Sequence, residues 1–332
     1  MRAPSDPSFL REARGLVVSV ALAVALVGCA TSPIASGPIS TPTASPSAAA
    51  TAESAPDYPV TVTDDEGTAV EIAERPERIV SLTPGTTETL FAIGVGNRVV
   101  AATDADDYPP EAVPLPDVAS FGSVDLEAIA ALEADLVIAG GNEYTPSEAI
   151  RSLRDLQVPV VVIYASTVDA VMADVELIGE AVGKVAEAQA LAAEMRAEID
   201  ALVEAVAALP RPRVFYEVDA SVGVFGPADD SYLAEMVELA GGEPITTGSS
   251  TSFEIELERL VAADPEVIIL GDAAFGVTPQ QVAARPAWDE MSAVRAGAIR
   301  AADDKLITRP GPRLALGLRS LILAIHPEAT LP

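Results

Sequence analysis

The sequence predicts an α/β protein of two similar lobes with mostly parallel sheets, joined by one long helix. Three observations predict it. From residue 60 onward, short apolar runs alternate with segments of helical spacing, the pattern of strands covered by helices on both faces. The stretch "DLEAIAALEADLVIAG" at 125–140 is echoed without a gap by "ELERLVAADPEVIILG" at 256–271, so one unit is written twice. Between the copies, residues 168–209 carry no strand signal and keep apolar side chains at helical spacing.

The first lobe is expected over 58–165. "VTVTDDEGTAVEI" (60–72) alternates and turns at Asp65-Glu66-Gly67, a hairpin. "RIVSL" (78–82) reads as a strand, and "TPGTTETLFAIG" as a threonine-capped helix stopped by Gly94. "RVVAAT" (98–103) is the next strand. A helix over 125–134, a strand in "LVIAG", a helix over 146–157 and a strand in "VVVIY" (160–164) complete the lobe.

The connection spans 166–210. Val168, Val171, Met172, Val175, Ile178 and Val182 share one helical face, as do Ala188, Met195, Ile199, Leu202 and Val206. One helix of about 40 residues would run about 60 Å at 1.5 Å per residue, with Gly183 as a point for a kink. The second lobe, 211–332, repeats the order: strand 213–218, helix 229–242, helix 255–263, strand "VIILG", a broken helix in "PQQVAARPAWDEM", strand "AIRAA" and a last helix over 311–325.

Residues 1–28 read as a signal peptide. Arginines precede "LVVSVALAVALV", an apolar run of about 12 residues, short of the roughly 20 a membrane span needs. The run ends in "LVGC", which resembles a bacterial lipobox with Cys29 as the residue that takes the lipid. The Ser-, Thr-, Ala- and Pro-rich stretch that follows lacks the apolar surface to offset ordering entropy. Residues 29–57 are therefore expected to be a lipidated, flexible tether, and the protein to sit outside the cytoplasm, anchored to the outer face of the cell membrane.

Composition removes several chemistries. A formal charge of −30 repels nucleic acid and anionic headgroups, so nucleic acid is excluded as a partner. With one histidine, His326, and one cysteine, Cys29, a zinc site of His and Cys lacks ligands, and a Ser-His-Asp triad would have to use His326. No metal site and no cofactor are expected.

Several stretches, in order, carry a resemblance. "RPERIVSLTPGTTETLFAIGVGNRVVAATDADDYPPEA" (75–112), "DLEAIAALEADLVIAG", "YLAEMVELAGGEPI", "LERLVAADPEVII", "AWDEMSAVRAGAIR" and "RPGPRLALGLRSLILAIHPE" resemble the iron-siderophore and cobalamin class of substrate-binding proteins of ABC importers. The resemblance covers about 75–328. It implies a ligand cleft between the lobes, capture of a metal-chelate nutrient, and delivery by a monomer to a membrane permease dimer. Glu127 and Glu258 stand at the third position of each echo. Each is also favourable in the first turn of a helix, by about 0.3–1 kcal/mol. The resemblance implies that these two carboxylates dock the permease by meeting its arginines.

Cleft walls in such a layout come from loops at the C-terminal ends of strands. The candidates there are Phe121, Tyr144, Asp219, Phe225, Tyr232, Phe253 and Phe275, with Arg309 as the nearest basic group beside Arg313. The alternative for Arg309 and Arg313 is to brace the last helix. The loops are otherwise acidic, with Asp104, Asp106, Asp107, Glu143, Asp229, Asp230 and Asp272. That disfavours an anionic chelate and suits a neutral or cationic one, such as a corrinoid or a cationic ferric siderophore. Two other readings stay open: an extracytoplasmic hydrolase using paired carboxylates, for instance Asp219 with Asp272, and an interaction lipoprotein without a small ligand. No fixed acid/base motif supports the hydrolase, and the protein is expected not to be an enzyme.

Overall fold

The structure, a computed structural model, describes residues 58–141 and 144–332. The leader, Cys29 and the tether to residue 57 lie outside the described residues, as do Asn142 and Glu143.

The hairpin forms as expected: β1 (Val60–Thr63) and β2 (Ala69–Ile72) pair antiparallel, with Val60 opposite Ile72. Asp64 ties its turn, accepting from the amides of Glu66 at 3.1 Å and Thr68 at 2.7 Å, while Gly67 takes φ +76°. The first sheet contains β3 (Ile79–Ser81), β4 (Val99–Thr103), β5 (Asp117–Ser120), β6 (Ser123–Val124), β7 (Leu136–Gly140) and β8 (Val160–Ile163). Its order is β6-β5-β4-β3-β7-β8, parallel except for the β5–β6 hairpin. The second sheet contains β9 (Arg213–Glu217), β10 (Glu243–Pro244), β11 (Val267–Leu270) and β12 (Ile299–Ala301), in the order β10-β9-β11-β12 and parallel throughout.

Helices α1 (Pro84–Ala92), α2 (Leu126–Ala131) and α3 (Ser147–Asp155) belong to the first half, and α4 (Val168–Val182) and α5 (Val185–Val206) to the connection. The second half adds α6 (Tyr232–Leu239), α7 (Leu257–Ala263), α8 (Pro279–Ala283), α9 (Ser292–Ala296), α10 (Asp304–Ile307) and α11 (Leu314–Ile325). Set aside β5 and β6, and both sheets place the second strand beside the first, then the third and fourth on its other side. The echoed segments are α2 with β7 and α7 with β11, the third strand of each sheet. The repetition in sequence is thus a repetition of topology.

Strand periodicity divides the core. Val80, Val137, Val160 and Val162 face one way, into a cluster of the first half. Phe215, Ile268 and Leu270 do the same in the second. Their alternating neighbours Ile79, Leu136, Ile138 and Val161, with Val214, Tyr216, Val267 and Ile269, face one shared cluster that also takes in α4, α5 and α11. Each lobe keeps its own core on one face of its sheet, and the other faces meet through a common helical layer.

The single 40-residue helix does not form. The chain breaks at Gly183, which takes φ +74°, and the amide of Lys184 donates to the Gly179 carbonyl at 2.6 Å. Helices α4 and α5 then run back along each other. Asp169 near the start of α4 pairs with Arg196 of α5 at 2.7 Å, and a Cβ on Gly179 would lie 2.2 Å from that of Ala188. The joining helix is α5 alone, 22 residues and about 33 Å. Glu235 of α6 accepts from the Val168 amide at 2.7 Å, so the second half caps a helix of the connection.

Sequence reading also missed β5, β6, β10, α9 and α10. All are short, below the length at which periodicity separates strand from loop.

Candidate functional site

Helix α1 lies in the seam between the halves, with Pro84 through Leu90 buried. Thr83 caps it, and Thr87 and Thr89 turn their hydroxyls onto Ser81 and the Gly85 carbonyl, each at 2.8 Å. The segment 309–313 of the second half packs against this helix so closely that a Cβ on Gly85 would lie 2.1 Å from the Pro310 carbonyl oxygen. The two arginines that frame this segment cross the seam. Arg313 donates to both oxygens of Glu88, at 2.8 and 2.6 Å, and its guanidinium lies 4.2 Å over the ring of Tyr108. Arg309 donates to Asp107 at 2.6 Å and to the Ala105 carbonyl at 3.0 Å, with Glu88 at 3.8 Å. Lys305 also pairs with Asp107. These arginines bind helix α1 and the loop 103–108 of the opposite lobe.

Two tyrosines hold the segment that carries these cations. The Tyr216 hydroxyl donates to Asp304 at 2.8 Å, and the Tyr232 hydroxyl to the Ile307 carbonyl at 3.0 Å. Burial raises the hydroxyls of both, so they stay protonated donors. Tyr232 packs against the shared core, and its hydroxyl positions α10.

The first lobe supplies aromatic surface beside this ionic seam. Phe121 sits at the two-residue tip of the β5–β6 hairpin, with Gly122 at φ +72°. It is 83% exposed and meets Tyr144 edge-on, ring centroids 5.7 Å apart. The Tyr144 hydroxyl is pushed up first by burial and then by Asp106, with Arg309 opposing and Asp104 adding. Tyr144 thus lies within electrostatic reach of the seam. Across it, the ends of β11 and β12 border a cavity of about 540 Å³ lined by Ala273, Ala274, Phe275, Ala302 and Lys305, among others. Phe275 is 88% exposed. Phe121 and Tyr144 thus belong to the first lobe, and Phe275 shares its cavity with Lys305, which reaches back to Asp107.

Asp219, Phe225 and Phe253 come together elsewhere in the second half. Asp219 bridges Phe225, which also bridges Glu254, and the Gly226 amide donates to the Phe253 carbonyl at 2.8 Å. The Asp219 carboxylate is engaged by the Ser221 hydroxyl at 2.8 Å. Asp272 instead lies against Glu217, which is fully buried and held by Arg285 through both oxygens. Burial, and then the Glu217 charge, push the Asp272 carboxyl up to about 6. Among the described residues no hydrogen bond links Asp219 with Asp272. His326 is buried with Nε2 3.2 Å from the Gly241 carbonyl.

Glu127 and Glu258 occupy equivalent places, the second residue of α2 and of α7. Both are exposed, and neither has an ion-pair or hydrogen-bond partner among the described residues. Glu88, Lys305 and Tyr216 were missed from sequence because their partners lie 88 to 225 residues away, beyond any local pattern.

Two α/β lobes of one topology, held by a shared helical layer and an ionic seam, are the frame of a substrate-binding protein. The chain belongs to the periplasmic binding protein family, whose model matches residues 79–306. It is 30% identical over 276 residues to an uncharacterised ABC transporter substrate-binding lipoprotein, YvrC, of Bacillus subtilis, covering 82% of this chain and 87% of that one. Its fold matches the periplasmic vitamin B12-binding protein BtuF of Vibrio cholerae with a TM-score of 0.67 and 26% identity, covering 76% and 97% of the two chains. It matches the periplasmic haem-binding protein RhuT of Roseiflexus equally well, with a TM-score of 0.67 and 27% identity over 76% and 99%. The protein is an extracytoplasmic substrate-binding component of an ABC importer, whose partners are a small ligand and a permease.

Proposed function

We propose that the protein captures a corrinoid, or a ferric chelate of similar charge, in the cleft and hands it to a permease dimer. The observation that carries the choice is the presence of exposed aromatic rings, Phe121 and Phe275, together with three cations already hydrogen-bonded to Asp107 and Glu88. Rings offer stacking area to a flat metal chelate, and satisfied cations leave little attraction for carboxylates on it. The cobalamin receptor among its structural relatives supports the same choice. In this reading Phe121, Tyr144 and Phe275 touch ligand, Phe225 and Phe253 form the second wall, and Arg309 holds the seam. The chain acts as a monomer and catalyses no reaction. In the same reading the lobes run over 58–165 and 211–332 about the connection 166–210.

Outside the cleft, the lipid on Cys29 and the tether hold the protein at the outer face of the membrane. Glu127 and Glu258, one per lobe, dock the permease; two charges at equivalent places steer the encounter and fix its orientation.

Mass spectrometry of ligand that co-purifies, followed by calorimetry against cyanocobalamin, ferric siderophores and haemin, tests the cargo. Tight one-to-one binding of cyanocobalamin without turnover is expected. Failure of every chelate to bind would overturn the proposal.

A further inference from the structure

We propose that Asp107 sets the charge selectivity of the cleft: by occupying Lys305 and Arg309 it makes the site accept chelates of neutral or positive charge and reject those bearing free carboxylates. This rests on the reading of the cleft as a chelate site and adds the residue that sorts one chelate from another.

The geometry argues it. Three cations, Lys305, Arg309 and Arg313, stand in the seam. Arg313 is committed to Glu88 through two bonds, and Glu88 is 3% exposed, so that pair is structural. Lys305 and Arg309 share one carboxylate, that of Asp107, which belongs to an exposed loop residue. Lys305 also lines the cavity beside Phe275. A ligand carboxylate entering there meets two cations of which Asp107 already neutralises one charge and occupies both with hydrogen bonds. It would have to displace Asp107, and it would also face Asp104, Asp106, Asp303 and Asp304, the other acids acting on Tyr144 and on the α10 segment. Charge-assisted bonds of this kind are about twice as strong as neutral ones, so the displaced pair is a real cost. Burial alone would raise the Asp107 carboxyl; the hydrogen bonds from Lys305 and Arg309 outweigh it and hold the group at about 2, ionised at every physiological pH.

The test compares the purified full chain with Asp107→Asn and Asp107→Glu, each checked for a cooperative thermal transition. Haemin and its dimethyl ester share one ring and differ only in two carboxylates. The wild type should take the ester at least as tightly as haemin. Asp107→Asn should move the ratio of the two affinities toward haemin by about tenfold, the gain expected when a charged hydrogen bond becomes available. Asp107→Glu should keep the wild-type ratio. An unchanged ratio in Asp107→Asn, or a wild type that prefers haemin, overturns the proposal. A second readout needs no ring. Citrate should raise the melting temperature of Asp107→Asn more than that of the wild type, and adding Lys305→Gln should abolish the difference; equal citrate responses overturn the proposal. Refusal of both rings and of cyanocobalamin by the wild type would sink the chelate reading instead, and the citrate comparison then decides on Asp107 alone.

Discussion

Arg313 and Glu88, 225 residues apart in the chain, meet through two hydrogen bonds of 2.8 and 2.6 Å in the seam between the lobes. Glu88 is nearly inaccessible, and its only other cation among the described residues is Arg309 at 3.8 Å. Removing one member of a buried pair leaves the other desolvated and uncompensated. Arg313→Ala should therefore lose about 3–5 kcal/mol of unfolding free energy. The double change Glu88→Gln with Arg313→Met should lose less than the sum of the two single changes. Urea unfolding of the wild type, Arg313→Ala, the two single changes of the cycle and the double variant checks both statements.

Gly85 and Gly67 separate two kinds of glycine requirement. A Cβ at position 85 would meet the Pro310 carbonyl at 2.1 Å, a contact with backbone that has to move. At position 67 nothing lies within 4 Å, and only the positive φ resists a side chain. Gly85→Ala should cost about 1–3 kcal/mol through overpacking, and Gly67→Ala about 1 kcal/mol through strain. Thermal melts of both variants should rank them in that order. Gly85→Ala should also weaken ligand binding, because the displaced segment carries Arg309.

Asp174 gives stability a pH dependence. It lies in the middle of α4, 7% exposed, near Asp65 of the hairpin turn. Burial first, then the Asp65 charge and hydrogen bond, push its carboxyl up from 3.8 to about 8. The native chain thus holds a proton that the unfolded chain has released. For this group stability is highest below about pH 4 and falls as pH rises to about 8, by at most about 1.4 kcal/mol per pH unit. Asp174→Asn should flatten that limb. Unfolding free energies at several pH values between those limits, in both proteins, measure the difference; parallel curves would rule out the assignment.

Glu127 and Glu258 carry the docking proposal. Neither side chain is used within the described fold, so replacing both with alanine should change stability by less than about 0.5 kcal/mol. Uptake through the permease should be lost while ligand affinity in solution is kept. Uptake at the wild-type rate in the double variant would count against docking through these groups.

Much of the fold could be read from the sequence because its elements announce themselves locally. The hairpin turn at Asp65-Glu66-Gly67, the cap at Thr83 and the stop at Gly94 each appear where expected. The echo located α2–β7 and α7–β11 at one topological place. Gly183 was recognised as a weak point, but periodicity cannot tell a kink from a full reversal; that depends on Gly179 and Ala188 letting two helices touch. The site was harder. Phe121 and Phe275 are exposed at strand ends as expected, while Tyr232 spends its hydroxyl on Ile307. Arg309 could not be matched to Asp107 from sequence, because the contact closes a loop of 202 residues.

The helical layer shared by the two lobes has a consequence for how the molecule comes apart. Ile79 and Ile138 from one sheet and Val214 and Ile269 from the other lose water only when α4, α5 and α11 stand between them. A fragment ending after α5 would keep its outer core but lose α11 and the second sheet's share of the layer, and a fragment beginning at β9 would lose α4 and α5, so each leaves part of this apolar layer wet. Neither piece has an independent melting transition to offer. Heat or denaturant should therefore dismantle both lobes in one all-or-none step, although the chain was written as two.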